Sequence, residues 1–280
     1  MLRPFRRLAA VTCLTVSLAA CGGSSNTVSS GQEAYDRGVD AFERGKHARA
    51  VDHFRTALDF GRTSEFADDA QLYLARSYAG SRQYLLAGNE FTRFVEFYRT
   101  DPRVEEAAFE RIQAYAALSP NYDLDQTDTR RAIQYIEQFQ REYPQSEHAL
   151  GAAELRAELR ARLARKQFET GRLYARREYY EAAVIALKSV LEEYPESEYA
   201  DDALMAALEN QVLFADNSIP SKQEERYGEA IQIYNQFISI FPSSPLIEGA
   251  EAQYDRAYRG QQAVALVTEG DSGGPRQLVD

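Results

Sequence analysis

Apolar positions recur with the spacing of amphipathic helices from about residue 33 to about residue 265. They stand three or four residues apart, which places them on one face of a helix, and glycine and proline are sparse inside these stretches. The alternation of apolar and polar residues that is typical of half-buried strands is absent from this part of the sequence. The pattern therefore predicts an all-α fold.

One motif recurs five times in this region, an alanine followed four residues later by a larger apolar residue. In three copies a small residue, Gly38, Ala75 or Gly171, stands twelve positions before the alanine. Small residues let the two helices of a hairpin approach closely, and the larger side chain fills the space beside them. We expect these residues to pack inside the repeats. The five pairs are Ala50 with Phe54, Ala87 with Phe91, Ala132 with Ile136, Ala183 with Leu187, and Ala230 with Tyr234.

The motif resembles the tetratricopeptide repeat, a helix–turn–helix unit of about 34 residues. Its alanines are 37, 45, 51 and 47 residues apart, so the array is irregular. The sequence predicts an α-solenoid of about eleven helices, built from about five tetratricopeptide-like hairpins and closed by a C-terminal capping helix. This solenoid is assigned to residues 33–267, with repeats 1–3 in 33–145 and repeats 4 and 5 and the cap in 146–267.

Three segments make the copies unequal. The third copy holds an insertion, LSPNYDLDQTDT, at 118–129, and the fourth opens with a long helix predicted over 148–176. The fifth has a predicted loop, ADNSIPSKQ, at 215–223, and the capping helix is predicted over 246–267.

The first twenty residues are organised like a bacterial export signal. Three arginines lie within the first seven residues, and an uncharged apolar run follows over 8–20, shorter than the roughly 17–25 residues that span a bilayer. The run ends in Leu-Ala-Ala before Cys21, which resembles the lipobox of bacterial lipoproteins. The resemblance implies a signal peptide over 1–20. It also implies that Cys21 is acylated, with palmitate among the attached fatty acids. The alternative is an ordinary secretory signal with an incidental cysteine.

The cysteine content agrees with lipidation. The only other cysteine, Cys13, lies inside the apolar run and would leave with the signal, so no thiol remains to pair with Cys21. Residues 21–32 are polar and rich in serine and glycine, which predicts a lipidated flexible tether. Gly22 stands where inner-membrane lipoproteins carry aspartate, so we expect a location at the outer membrane, facing the periplasm.

The chain is acidic, with 43 Asp and Glu against 32 Lys and Arg and a net charge of −11. The excess lies in the C-terminal part, because residues 178–280 hold nineteen acidic and six basic residues. An acidic chain repels phosphate backbones, so we expect no nucleic-acid partner.

Residues 270–275 read GDSGGP, the string around the nucleophilic serine of trypsin-like proteases. A serine nucleophile needs a histidine base and a carboxylate on a rigid scaffold, yet His47, His53 and His148 all lack the sequence context of that all-β family. We interpret the string as a coincidence inside a disordered tail over 268–280. We therefore expect that the protein is not an enzyme. The histidines are scattered along the sequence and no free cysteine remains, so we expect no metal site. We also expect no cofactor besides the lipid on Cys21.

The concave face of such a solenoid is lined by the first helix of each hairpin and suits extended peptides. By helical phase, six side chains of repeats one to three are predicted to line it, with Arg76 placed to meet a terminal carboxylate. For each aromatic residue the alternative is core packing. The six are Tyr35, Phe42, Tyr73, Arg76, Phe109 and Gln113.

The region 125–204 carries a more specific resemblance. An acidic, glutamine-containing loop is followed there by the cap string YPQS and by the long basic first helix of repeat four. With the lipobox and the tether, this order resembles the BamD family, lipoproteins of the outer-membrane β-barrel assembly machinery. The resemblance implies an adaptor that binds unfolded outer-membrane proteins through its N-terminal repeats. Its C-terminal repeats are expected to dock on the insertase BamA, in company with other subunits of the machinery.

Two further interpretations stay open from the sequence. One is the tetratricopeptide coordinator of the Tol–Pal envelope and cell-division system, although that family has an N-terminal coiled coil and no lipobox. The other is a different peptide-binding lipoprotein scaffold. Neither needs a catalytic site.

Overall fold

The computed structural model describes residues 28–272, with side chains described as far as residue 267. Within that range the chain forms eleven α-helices and no strand, so the predicted all-α solenoid class is confirmed. The helices are α1 (Gly31–Glu43), α2 (His47–Phe60), α3 (Ala67–Gly80), α4 (Tyr84–Phe97), α5 (Val104–Ala116), α6 (Thr127–Glu142), α7 (Ala149–Arg176), α8 (Tyr180–Glu193), α9 (Ala200–Asp216), α10 (Pro220–Ile240) and α11 (Ile247–Ser272).

The helices form five consecutive hairpins followed by a single helix. Each helix packs against the next one along the chain, and α11 also packs against α9. The first helices of neighbouring hairpins touch at α1–α3, α5–α7 and α7–α9, whereas the second helices of neighbouring hairpins do not make comparable contacts in the described range. The first helices therefore form the inner, concave layer of the solenoid, and the second helices form the outer layer.

Small residues lie where the two helices of a hairpin meet. A Cβ atom on Gly38 would come within 2.6 Å of the Phe54 ring, and one on Gly171 would come within 2.5 Å of Leu187 Cγ. The large partner thus occupies the place that a side chain on the glycine would take. The five alanines of the repeat motif are fully buried, as is the small residue Ala75, and Phe91 is 1% exposed. The five are Ala50, Ala87, Ala132, Ala183 and Ala230.

The core runs along the whole solenoid in three clusters that share helices. The first joins α1 to α4 with residues of α5, the second spans α5 to α9, and the third spans α8 to α11. Because successive clusters meet on common helices, the hydrophobic packing is continuous from α1 to α11 in the described range.

The insertion of the third repeat is held by buried polar groups. The Gln126 amide donates to the carbonyl of Asn121 at 2.7 Å, and its oxygen accepts from the Thr129 hydroxyl at 2.7 Å. From α7, Lys166 donates to the carbonyl of Leu124 at 2.6 Å. The insertion therefore packs on the long helix of repeat four as part of the scaffold.

Two predicted boundaries of the solenoid differ from the structure. The first helix begins at Gly31 rather than after residue 32, because Ser30 caps it by accepting from the Glu33 N–H at 3.2 Å. The last helix continues to Ser272 rather than ending at 267, since no proline lies between Ile247 and Pro275. The signal peptide, Cys21 and residues 273–280 lie outside the described residues.

The predicted loop 215–223 of the fifth repeat is mostly helical. Only residues 217–219 separate α9 from α10, because Pro220 occupies the first position of α10. Proline is favoured there, since its missing N–H would be unpaired in any residue at a helix start. The prediction of a long loop was therefore wrong, because α9 extends to Asp216 and α10 begins at Pro220.

Candidate functional site

A cavity of about 400 Å³ opens on the inner layer, between repeats one, two and three. Of the six residues predicted to line a peptide-binding surface, Phe42, Arg76 and Gln113 line this cavity. The remaining wall consists of Ala79, Tyr84, Phe91, Glu110 and Ala114.

Helical spacing explains why these side chains converge. Arg76 and Ala79 are three residues apart on α3, and Glu110 and Gln113 are three apart on α5, so each pair shares a helix face. Phe42 closes the cavity from the end of α1. Phe91 and Ala114, 1% and 3% exposed, lie at its buried end. The cavity is thus built from four rigid helices rather than from loops.

Tyr35 and Tyr73 belong to an aromatic stack beside the cavity. The Tyr73 ring stacks on Phe54 at 5.5 Å between centroids and meets Phe42 edge-on at 5.1 Å. The Tyr35 ring stacks on Phe66 at 5.7 Å, and burial, followed by the charge of Asp69, raises the pKa of Tyr35 to about 12. Tyr73 thus packs against Phe42, whereas Tyr35 packs against Phe54 and Phe66. Neither tyrosine lines the cavity, and a role for either in peptide binding stays a prediction.

Phe109 lies away from the cavity. Its ring stacks on His148 with centroids 4.5 Å apart and packs against Phe139 at 5.9 Å. Gly151 at the start of α7 leaves room for this ring, since a Cβ there would lie 3.2 Å from Phe109 Cζ. Phe109 therefore does not line this cavity, and its half-buried ring packs between α5, α6 and α7. A role for Phe109 in peptide binding stays a prediction.

Arg76 is already neutralised by carboxylates of the same chain. Its Nε and Nη2 donate to Glu110 at 2.9 and 2.6 Å, and Nη2 also lies 2.8 Å from Glu106. Burial opposes the charged form, but the hydrogen bonds and charges of these two glutamates raise the pKa of Arg76 above its ordinary value. The three groups together carry one net negative charge. The expectation of Arg76 as a free receptor for a ligand carboxylate is corrected accordingly.

The two glutamates opposite Arg76 were missed by reasoning from the sequence. A usable signal existed, because Arg76 and Glu110 stand 34 residues apart. The same separation joins Tyr35 to Asp69 and Arg103 to Asp69. One repeat length brings residues to equivalent places on neighbouring first helices, so opposite charges at that spacing predict ion pairs.

The chemistry of the cavity is that of a binding surface. Phe42, Tyr84 and Phe91 offer aromatic walls, and Gln113 offers an exposed amide at the rim. His47 packs near the rim against Phe42, with centroids 5.3 Å apart, while His148 is held against Phe109. In residues 28–272 no group of three or more His, Cys, Asp or Glu residues is arranged to hold a metal ion.

Within the described range, none of the helices combines the length and the apolar character that spanning a bilayer requires.

Comparison with known proteins links the chain to a family. The outer membrane protein assembly factor BamD of Caulobacter vibrioides is 26% identical over 245 residues, covering 84% of this chain and 79% of the relative. The protein of the same name from Pasteurella multocida is 22% identical over 214 residues, covering 72% and 82%. The predicted relationship to the BamD family is thereby confirmed.

Similarity to solved structures is weaker. The TPR2AB domain of yeast Sti1, in its complex with pHSP90, is 14% identical, and the match covers 81% of this chain and 98% of that chain. Its TM-score of 0.39 is too low to establish a shared fold.

The family model described as outer membrane lipoprotein, YfiO, matches residues 28–225. This match takes in repeats one to four and reaches into the fifth, which is most of the chain. The chain belongs to the YfiO family of outer membrane lipoproteins.

Proposed function

We propose that this chain is a lipid-anchored periplasmic adaptor that binds unfolded outer-membrane β-barrel proteins and presents them to a BamA-like insertase. Membership of an outer membrane lipoprotein family supports the location, and relatives named as assembly factors support the role in outer-membrane protein assembly. An adaptor of this kind requires no active site and no cofactor. The lipid on Cys21 is its one covalent addition and holds it at the outer membrane.

The observation that carries the proposal is the aromatic cavity on the inner layer. Barrel strands alternate apolar and polar residues, so an unfolded strand presents an aromatic or aliphatic side chain at every second position. A volume of about 400 Å³ accepts one such side chain between Phe42 and Tyr84. Burying this side chain stabilises the complex by roughly 1.5–3 kcal/mol, before the entropic costs of binding are subtracted. Because Arg76 is neutralised, we assign recognition to the aromatic side chain rather than to a terminal carboxylate.

Docking on the insertase is assigned to the C-terminal repeats. A groove of about 350 Å³ lies between α8 and α10 on the outer layer, and Ile185 in its wall is 67% exposed. Lys188 lines the same groove among acidic neighbours such as Glu181 and Glu229. An exposed apolar residue beside mixed charges is typical of a surface that another protein covers.

A peptide titration tests the client site. A labelled peptide that ends in an aromatic residue is expected to bind the full protein, and Ala79→Leu, which fills the cavity, is expected to weaken binding about tenfold, or about 1.4 kcal/mol. Ala157→Leu, on the exposed face of α7, is the matched control and should bind like the unchanged protein. Replacing the peptide's terminal aromatic residue with alanine should cost more affinity than amidating its carboxylate. Unchanged binding by Ala79→Leu would place the client elsewhere.

A further inference from the structure

A second groove, of about 430 Å³, lies on the outer layer between α4 and α6, over α5. It shares no residue with the cavity of the inner layer. Its floor is formed by Arg111 of α5. The residues around it are Thr92, Val95, Glu96, Arg99, Val104, Tyr135, Gln138, Glu142 and Tyr143.

Arg111 is a buried cation without a hydrogen-bonded partner in the described part of the chain. The residue is 3% exposed, and its Nε and Nη2 atoms are buried with no acceptor. The guanidinium lies over the Tyr135 ring, 4.3 Å from the centroid, which fixes its position without satisfying its N–H groups. Burial lowers the pKa of Arg111, against the opposing charges of the neighbouring tyrosines and Glu142.

Two other buried polar side chains on first helices, Gln71 and Gln211, are satisfied within the chain. The Gln71 amide donates to Glu90 of α4 at 2.7 Å, and the Gln211 amide donates to Glu229 of α10 at 2.6 Å. Both bonds cross from a first helix to the second helix of the same hairpin. Arg111 faces the same layer, but among the side chains described in residues 28–267 no carboxylate accepts from its Nε or Nη2. Leaving a buried charge unpaired is costly, so the fold retains Arg111 at the expense of stability.

We propose that this groove binds a carboxylate side chain of a partner polypeptide, with Arg111 as its cationic floor. Arg99 and Arg111 are balanced by Glu96 and Glu142 in the lining, so the empty groove is close to neutral. Unlike Arg76, Arg111 has no acceptor of its own, so a singly charged carboxylate would supply its missing counter-charge, whereas a phosphate dianion is opposed by the two glutamates. Val95 and Val104 offer apolar contacts to the carbon atoms of the same side chain. Neither the client cavity nor its peptide takes part in this interaction.

Thermal unfolding of the full protein in detergent, with N-acetylglutamate and N-acetylglutamine as probes, tests the site. At matched ionic strength, tens of millimolar N-acetylglutamate is expected to raise the Tm by about 2 °C, because binding to the folded state alone stabilises it. N-acetylglutamine should leave the Tm unchanged. Arg111→Met should abolish the shift while keeping its own Tm at or above that of the unchanged protein, since it removes an unpaired buried charge.

Arg131→Met is the matched control. Arg131 also lies over a tyrosine ring, that of Tyr115, but it is exposed and paired with Asp128, so this variant should keep the full shift. A shift that survives in Arg111→Met places the carboxylate elsewhere and overturns the proposal. A shift with inorganic phosphate but none with N-acetylglutamate overturns it as well. No shift with either probe, whatever the stability of the variant, shows that Arg111 serves packing alone.

Discussion

Gly38 and Gly171 act at the residue scale through the side chain that they lack. In each case a large residue of the second helix, Phe54 or Leu187, occupies the volume that a Cβ would need. Their small size therefore sets the distance between the two helices of a hairpin, and every contact made by the hairpin depends on that distance.

Gly38→Ala is expected to destabilise the protein by about 1–3 kcal/mol, because the added Cβ overlaps the Phe54 ring in a packed core. Calorimetric or denaturant unfolding measures the difference. Gly228→Ala is the control, since a Cβ there meets only the far end of Gln261, 3.2 Å away. That variant should be neutral or gain up to about 1 kcal/mol from the better helix propensity of alanine. Equal losses from both variants would contradict this account of the hairpin contact.

Reasoning from the sequence placed residues better within one helix than between helices of different repeats. Helical phase, which acts within one helix, predicted Phe42 and Gln113 on the concave face, and both line the cavity there. The pairing of Arg76 with Glu110 depends on the register of two helices in different repeats, and phase within a helix does not specify that register. Arg111 was overlooked for a similar reason, since only the packing of α4 and α6 buries it.

At the scale of elements, one arginine ties the second and third repeats together. Arg103, just before α5, donates to Asp101 at 2.7 Å and to Asp68 at 2.9 Å, and it also bonds Asp69. The hydrogen bond from Arg103 holds the pKa of Asp101 below its ordinary value, although burial opposes the shift. The start of α3 is thereby joined to the start of α5.

The lowered pKa gives this link a pH dependence. A carboxyl group whose pKa is lower in the folded state stabilises the fold above its unfolded pKa of about 3.9, and the contribution is lost as pH falls through the folded value. Asp101→Asn keeps the shape and the acceptor for the Arg103 N–H, so it removes mainly the charge. We expect it to cost about 1–2 kcal/mol at pH 7 and progressively less below pH 4.

Denaturant unfolding at several pH values measures this dependence. Asp40→Asn, which disrupts an exposed pair with Arg44, should change stability little at any pH. If the Asp101→Asn difference were the same at pH 7 and pH 3, the ion cluster would not be its source.

The order of elements was largely predictable, and particular boundaries were not. The long first helix of repeat four was predicted over 148–176 and runs over Ala149–Arg176, because its periodicity is uninterrupted. The break before α10 was misplaced, since Pro220 is compatible both with a loop and with the first turn of a helix. The local sequence does not distinguish a loop from the first turn of a helix at this proline. The packing of α10 against α9 favours the helix.

At the scale of the whole molecule, the continuous core presents two layers with different surfaces. The inner layer carries the aromatic cavity, and the outer layer carries the grooves over Arg111 and beside Lys188. The proposed client and the proposed partners would thus contact different surfaces of the same chain. The proposed lipid at the N-terminus adds the membrane as a third contact.

Cys21→Ser tests that anchor. If Cys21 is the acylated residue, the variant should take up no alkyne fatty acid and should remain uncleaved by the lipoprotein signal peptidase, whereas the unchanged protein is labelled and processed. Labelling is read on a gel after coupling to a fluorophore. Label that persists in the variant would contradict the lipobox interpretation.

Site-specific photo-crosslinking in cells tests the central claim, that the inner-layer cavity receives unfolded barrel proteins. A photoreactive amino acid replaces Gln113 at the rim of the cavity or, as a control, Arg55 on the exposed side of α2. The account predicts crosslinks from position 113 to newly made, pulse-labelled barrel proteins, their loss when Ala79→Leu fills the cavity, and none from position 55. Equal crosslinking from both positions, or none from position 113, would contradict it.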